Sequence, residues 1–234
     1  MLFFAQYLAI SRSFMQPGDN VHRKQTKGER TALRIMDVAE DLFAIQGYDG
    51  TSLRQIADGA GIREPGLYNH FAGKQALYEA VLHRALNPMA EALAQHIDSA
   101  SGLNDYTDLP SIMTDLLLAH PQMAALFQQA MQGDSTSIGN QLVGSWLEKL
   151  FGQGMHSLEE IGAPGVGAPG VGAPGEPDRA TLAINLIAMF NLTTGYFLSQ
   201  RAFASLASGD LQDPDNIARQ KRLLRKIIRA MLIN

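Results

Sequence analysis

Cysteine is absent from the 234 residues of the chain. Without thiols the protein has no disulfide, no thiolate metal site and no cysteine nucleophile, and this composition fits the reducing cytoplasm, where we expect the protein to act. An excess of positive charge is also missing, because 19 basic side chains stand against 23 acidic ones and the net charge is −4. Any contact with nucleic acid must therefore depend on a local patch.

Alternating runs typical of β-strands are nearly missing, whereas apolar residues recur at helical spacing along most of the chain. This pattern predicts an all-α fold. Hydrophobic residues make up 46 % of the sequence, which is enough to bury a core without cross-links.

The chain has no clear targeting or membrane segment. Its first residues, MLFFAQYLAISRS, lack a basic start and a cleavage motif, so no signal peptide is predicted. Residues 1–25 are interpreted as an N-terminal extension, either ordered, disordered or the product of a mis-assigned start, in which case Met15 would initiate. The uncharged run between Arg179 and Arg201 is interrupted by polar residues such as Asn185 and Asn191, which disfavour a membrane span and favour burial between subunits.

Helix signals define an N-terminal domain over residues 26–84. Thr26 and Glu29 form the first capping-box pair, opening a helix that Gly47 can close, and Ser52 and Gln55 form a second pair. The second helix is predicted to end near residue 61, a third covers residues 63–71, and a fourth runs from residue 74 toward Pro88. A supporting helix followed by two short helices with glycine in the turn predicts a helix-turn-helix, which places its second short helix in a DNA major groove.

The remaining residues, 85–234, are predicted to form a helical ligand-binding and dimerisation domain, with Pro88 marking the change of domain. Helical patterns occupy about 89–100, 108–118, 121–132, 137–158, 178–207 and 214–233. Between the patterns at 137–158 and 178–207, the segment 161–178 contains three consecutive pentads that each end in Ala-Pro-Gly. Proline and glycine at that density prevent a helix, so a solvated loop is predicted there.

The segment TSLRQIADGAGIREPGLYNHFAGKQAL, residues 51–77, resembles the signature of the TetR family of transcriptional regulators. The resemblance extends over about residues 29–81, and it implies an N-terminal helix-turn-helix that binds double-stranded operator DNA. It also implies a C-terminal domain that diverges with its ligand.

The candidate phosphate contacts come from two sources. Thr51 and Ser52 stand at a helix N-terminus, where hydroxyls and free amides bind a phosphate oxygen, although simple helix capping explains both residues as well. The resemblance implies that Tyr68, His70 and Lys74 contact backbone phosphates.

The candidate base-reading residues are Arg63, Glu64 and Gly66, in positions that the family directs toward base edges, and the nearby Asn69, which is able to reach a base or a phosphate. Arg63 is able to pair with guanine and Glu64 to accept from cytosine, while Gly66 permits close approach. Arg63 replaces the serine or threonine common in the family, so a helix cap is expected to be lost, with Pro65 compensating. The alternative is that Arg63 and Glu64 are solvated charges. Residues 1–30 carry five basic and two acidic side chains, and this arm either contacts DNA or stays free.

Methionine and aromatic side chains spread over the C-terminal helices predict an adaptable apolar pocket, although ordinary core packing explains each of them singly. The candidate pocket residues are Met113, Met123, Phe127, Trp146 and Phe190, and the ligand expected there is an unidentified, largely apolar small molecule.

The last two helices are the candidate dimer interface, because residues 180–200 are too apolar for a solvated surface. The residues predicted to lie in it are Leu186, Phe190, Gly195, Leu224 and Ile228.

No catalytic triad, phosphate loop or metal-spaced histidine cluster is found, so no enzyme, metal site or cofactor is predicted. The sequence predicts a ligand-responsive repressor that binds a near-palindromic operator as a homodimer. The alternative is a small-molecule binding or sequestering protein of the same fold with weakened DNA binding.

Overall fold

The computed structural model describes residues 25–120, 122–160 and 179–233. Residues 1–24, which make up nearly all of the predicted N-terminal extension and most of the basic arm, and the whole repeat loop at 161–178 lie outside the described residues. Within them every regular element is a helix, which confirms the predicted all-α class. The helices are α1 (Lys27–Gly50), α2 (Leu53–Gly59), α3 (Glu64–Leu67), α4 (Lys74–Ser99), α5 (Leu103–Tyr106), α6 (Leu109–Ala119), α7 (Met123–Gln132), α8 (Ile138–Glu160), α9 (Arg179–Phe197), α10 (Gln200–Ala207) and α11 (Pro214–Ile233).

Both predicted capping boxes are present. The Thr26 hydroxyl accepts from the Glu29 amide at 3.2 Å, and the Glu29 carboxylate accepts from the Thr26 amide at 2.8 Å. Ser52 and Gln55 make the same reciprocal pair at the start of α2, at 3.2 and 2.8 Å. Each box satisfies two amides that a helix start leaves without partners, so both helix starts follow from local sequence.

Gly47 interrupts α1 as expected, with φ +71°, a conformation that favours glycine. A Cβ at this buried position would lie 2.9 Å from Oε1 of Gln129, so the site has little room for a side chain. The chain resumes one short turn that carries Tyr48 and ends at Gly50. Gly47 therefore determines where Tyr48 is placed.

The prediction that Pro88 ends a helix is wrong, because Pro88 lies inside α4. A proline in a helix loses one hydrogen bond and costs about 3 kcal/mol. Leu86, Met89 and Leu93 around it are all buried, so an unbroken helix keeps apolar side chains on either side of Pro88 away from water. The single helix predicted over 178–207 is also divided, since α9 ends at Phe197 and α10 begins at Gln200.

The chain divides into two compact units, and the first boundary falls after Leu86, close to the predicted boundary after residue 84. The first unit also contains Ala125–Val143, which the sequence analysis assigned to the C-terminal domain. The reason is visible at Gly139 of α8, where a Cβ would lie 2.7 Å from the Tyr78 hydroxyl and 3.0 Å from the Ala130 Cα. The missing side chain permits close packing within this unit, which sequence periodicity does not reveal.

The second unit consists of Asn87–Ala124 and Gly144–Asn234. In it α6 packs against α9 and α11, and α9 packs against α11. A buried hydrogen bond at 3.3 Å joins the Thr114 hydroxyl to Gln220, and Lys221 pairs with Asp115 at the surface. Among the described residues no helix is both long and apolar enough to cross a membrane.

Candidate nucleic-acid interface

The helix-turn-helix is formed by α2, the turn at residues 60–63 and α3. Ile56 and Ala57 of α2, Ala60 in the turn and Leu67 of α3 are all buried. Gly61 has φ +64°, which lets the chain reverse between the two helices. Burial of these four side chains fixes the inner face of the motif and leaves the opposite face to solvent.

The predicted base-reading residues lie on that outer face. Arg63, Glu64 and Asn69 are exposed, and Gly66 has no heavy atom within 4 Å of the position that a Cβ would occupy. Arg63 is the N-cap residue of α3 and makes no side-chain cap hydrogen bond, as expected, while Pro65 stands in the first turn. The structure therefore brings the four residues together on and beside α3, although α3 is regular only over Glu64–Leu67 and continues as turns toward Phe71.

Two of the predicted phosphate-contacting residues follow α3 directly. The side chain of Tyr68 is 51 % exposed and that of His70 is half-buried. The amide of Asn69 donates to Gly66 O at 3.3 Å and that of His70 to Leu67 O at 2.9 Å, which holds this segment against the helix. The two residues thus flank Asn69 on this turn, with Tyr68 exposed and His70 partly exposed.

Lys74 opens α4, and its Nζ lies 4.3 Å from the centroid of the Tyr48 ring. This distance is within the range of a cation–π interaction. Tyr48 in turn contacts the buried rings of Phe43 and Tyr78, at centroid distances of 6.2 and 4.9 Å. The charge of Lys74 is therefore held by an aromatic cluster composed of Phe43, Tyr48 and Tyr78.

The geometry argues against the predicted phosphate contact of Thr51. Its side chain is only 2 % exposed, and its hydroxyl donates to Gly47 O at 2.8 Å. The hydrogen atom needed for a phosphate contact is thus already bonded inside the protein, and the residue instead closes the turn after α1. Ser52 is exposed, but its hydroxyl is engaged with Gln55, at 3.2 Å to the amide and 2.9 Å to Oε1.

A Thr51→Val substitution separates a structural role from a DNA-binding one. Because it leaves Gly47 O without its buried donor, we expect the free energy of unfolding in urea to fall by about 1–3 kcal/mol. The salt dependence of DNA binding should stay unchanged. Thr31 makes the same bond to Lys27 O at an exposed position, so Thr31→Val should cost less than about 0.5 kcal/mol. If the affinity of Thr51→Val for DNA depended less on salt than that of the wild type, Thr51 would contact a phosphate after all.

Sequence reasoning missed Arg54 and the role of Tyr48. Arg54 in the first turn of α2 is highly exposed, and its Nε lies 4.0 Å from a carboxylate oxygen of Asp58, whose side chain is also exposed. Such a pair contributes little energy, so the guanidinium is available to DNA. Its position two residues after the N-cap Ser52 was the available signal, whereas nothing in the sequence indicates that Tyr48 lies under Lys74.

Comparison with known proteins adds an independent observation. Residues 35–81 match the family described as bacterial regulatory proteins, tetR family. This part of the chain is thus similar to the TetR family. The TetR match covers α2, α3 and the aromatic cluster, so it includes nearly all of the surface described above.

Relatives extend the TetR match over nearly half of the chain. The chain is 35 % identical over 98 residues to the HTH-type transcriptional repressor KstR2 of Rhodococcus jostii, covering 42 % of this chain and 45 % of that protein. It is 32 % identical over 78 residues to the HTH-type transcriptional activator FasR of Mycolicibacterium smegmatis, covering 33 % of each. The chain thus spans less than half the length of these relatives, which are transcriptional regulators and not enzymes.

The solved structure of the ketosteroid transcriptional regulator KstR2 of Mycobacterium tuberculosis is similar in fold, with a TM-score of 0.61 over 89 % of this chain and 95 % of that one. The sequences are only 18 % identical over this alignment, so the likeness concerns the fold alone. An N-terminal helix-turn-helix followed by a helical C-terminal part is therefore the architecture of the TetR fold in this chain.

The five candidate pocket residues lie in both units of the described chain. Met113 and Met123 are buried in the second unit, and Trp146 meets Phe190 edge-on at 6.1 Å, whereas Phe127 belongs to the first unit. A cavity of about 10 Å³ does lie in the second unit, with room for about one water molecule. It is lined by other residues, namely Tyr106, Leu109, Leu158, Asn185, Leu186, Met189, Ile228 and Met231.

Four of the five predicted interface residues face inward. Leu186, Phe190, Leu224 and Ile228 are buried within one copy of the chain, so they have little surface left for a partner. Only Gly195 is partly exposed, with open space where a Cβ would be. The helices named by the prediction do carry exposed apolar side chains, but at other positions, namely Ile184, Ile187 and Leu192 on α9 and Leu223 on α11.

Proposed function

We propose that the protein is a ligand-responsive transcriptional repressor that binds a near-palindromic DNA operator as a homodimer in the cytoplasm. The observation that carries the proposal is the outer face of the helix-turn-helix. The exposed polar and charged side chains on and beside α3 are suited to contact DNA bases. They are followed in sequence by Tyr68, His70 and Lys74, which are suited to contact phosphates. Phosphate contacts supply orientation and most of the affinity, and base-edge contacts supply the sequence preference.

The homodimer is supported by the apolar face of α9. Ile184, Ile187 and Leu192 are between 43 and 63 % exposed, and they recur at the spacing of one helix side. A patch of this kind is typical of an interface between protein chains. A second copy is the occupant that fits, since a two-fold dimer presents two recognition elements to two half-sites.

The ligand response is supported by the cavity in the second unit, whose lining is apolar apart from the ends of Tyr106 and Asn185. Asn185 Nδ2 donates to Met231 O at 3.4 Å, which ties α9 to α11 beside the cavity. A largely apolar molecule that enlarges this cavity would disturb packing between those helices. It changes DNA binding only if it has different affinities for the DNA-competent and DNA-incompetent arrangements.

DNase I footprinting on the region upstream of the protein's own gene tests the proposal. We expect a protected site with two half-sites about 10–10.5 base pairs apart, or a multiple of that spacing. Ile187→Arg places a charge in the proposed interface, so it should convert the protein to a monomer in sedimentation and abolish protection. Leu206→Arg, at an exposed position on α10, should leave both unchanged.

A wild-type chain that protects no DNA at moderate salt would contradict the proposal and favour the ligand-sequestering alternative. If the wild type protects DNA and the Ile187→Arg variant still sediments as a dimer, only the proposed α9 interface would be contradicted.

A further inference from the structure

The contact between Lys74 and Tyr48 joins two parts of the sequence that are 26 positions apart. Lys74 is half-buried, and its ammonium lies 4.3 Å from the ring centroid. Among the described residues no carboxylate forms an ion pair with it. The ring is therefore the group that holds the ammonium.

The ring itself is firmly placed. Tyr48 stacks on Phe43 at 6.2 Å and contacts Tyr78 at 4.9 Å, and Phe43 meets Tyr78 edge-on at 4.7 Å. Phe43 and Tyr78 are almost fully buried. The left-handed backbone at Gly47 turns the chain immediately before Tyr48, and the Thr51 amide donates to Tyr48 O at 3.4 Å. The platform under Lys74 thus has few ways to move.

Burial, followed by the charges of Asp49 and Glu79, raises the pKa of Tyr48 above its ordinary value. Burial, followed by Tyr48 and Asp49, raises the pKa of Tyr78 to about 12. Both phenols consequently stay protonated near neutral pH, so the cluster under the ammonium remains an uncharged aromatic surface.

An aromatic platform suits a lysine that must bind phosphate. Lysine has a long flexible stem, and fixing it costs rotamer entropy that a pre-positioned side chain has already lost. A carboxylate partner would fix the ammonium too, but it would neutralise the charge and compete with phosphate. A ring attracts the cation through its quadrupole and leaves the full positive charge available.

We propose that Tyr48 is a positioning residue for DNA binding, whose ring holds the Lys74 ammonium at the start of α4 where it meets a backbone phosphate. The inference rests on the proposed function, because it takes Lys74 as a phosphate contact. Tyr48 acts through Lys74 and touches no DNA itself.

The test uses the full chain and the duplex that the wild type protects from DNase I. Tyr48→Leu removes the platform, so affinity should fall about 5- to 30-fold for a dimer with two such pairs. The slope of log affinity against log salt should flatten by up to about 1.8, one phosphate contact per subunit. Tyr48→Phe keeps the ring and should retain the wild-type slope and affinity.

Combining the substitutions tests whether Tyr48 acts through Lys74. Once Lys74→Met has removed the ammonium, Tyr48→Leu should cause no further loss of affinity. Additive losses, an unchanged slope in Tyr48→Leu, or a Tyr48→Phe variant as weak as Tyr48→Leu would each overturn the positioning role. If the wild type binds no duplex, it is the proposed function that fails.

A measurement on the wild-type chain covers the case in which Tyr48→Leu does not fold. The ε-methylene protons of Lys74, assigned by their disappearance in Lys74→Met, should be shifted upfield by the ring in NMR spectra of the free protein and of the DNA complex. An unshifted resonance in both would overturn the inference.

Discussion

Lys74→Met is expected to weaken operator binding on the order of 10²-fold or more, the largest effect of any single substitution on the interface. A hydrogen bond to a charged group contributes about 1.5–3 kcal/mol, and a dimer loses two. The slope of log affinity against log salt should flatten by about 1.8, because each lost phosphate contact changes it by about 0.9. Fluorescence anisotropy with labelled duplex at several salt concentrations measures both quantities.

The matched control is Lys149→Met, which removes an exposed lysine of α8 outside the TetR match. Lys149→Met and Lys74→Met each remove one positive charge, so a difference in their DNA affinities reflects the position of the lysine and not the total charge. Equal losses in the two variants would mean that Lys74 acts only through the overall field of the protein.

Phe43→Ala is expected to lower the free energy of unfolding by about 3–5 kcal/mol, the largest effect on stability. Phe43 is fully buried in α1 and contacts both Tyr48 and Tyr78. Removing its ring opens a cavity under the aromatic cluster and forfeits two ring contacts. Urea denaturation followed by circular dichroism measures the loss.

Ile45→Ala provides the comparison on the same helix, since Ile45 is 71 % exposed and loses little burial on folding. Its cost should stay below about 0.5 kcal/mol. A Phe43→Ala variant as stable as Ile45→Ala would show that the cluster does not hold the motif together.

Another contact within the first unit is less apparent from sequence. Arg84 of α4 donates to Asp37 at 2.7 Å and also pairs with Glu40, both on α1. Burial alone would lower the pKa of Arg84, but its hydrogen bonds and attraction to Glu40 and Asp37 raise it overall. The contacts of Arg84 with Asp37 and Glu40 therefore join α4, which begins with Lys74, to α1, which carries Phe43.

Features set by neighbouring residues were predictable from the sequence. Both capping boxes join residues three apart, so their hydrogen bonds need only a local helix start. The break at Gly47 and the uncapped Arg63 likewise follow from one residue and its immediate neighbours. The base-reading role of α3 was predicted from the family resemblance and stays a prediction, and the structure leaves Arg63, Glu64 and Asn69 exposed.

Features set by tertiary packing were not predictable. Pro88 stays helical because its neighbours are buried, and Thr51 donates into a turn whose shape depends on Gly47. Leu186 and Leu224 lie on helices that also carry exposed apolar residues. Periodicity alone does not tell which apolar side of such a helix faces the core and which side faces a partner. The contact of Lys74 with Tyr48 crosses 26 positions and has no sequence signal.

Selection of bound sequences from a random duplex pool by the purified full-length chain tests the central claim most directly. The account predicts enrichment of a near-palindrome with two half-sites, and loss of that enrichment in a variant that combines Lys74→Met with Arg63→Ala. Enrichment of no sequence, or the same enrichment by that variant, would contradict it.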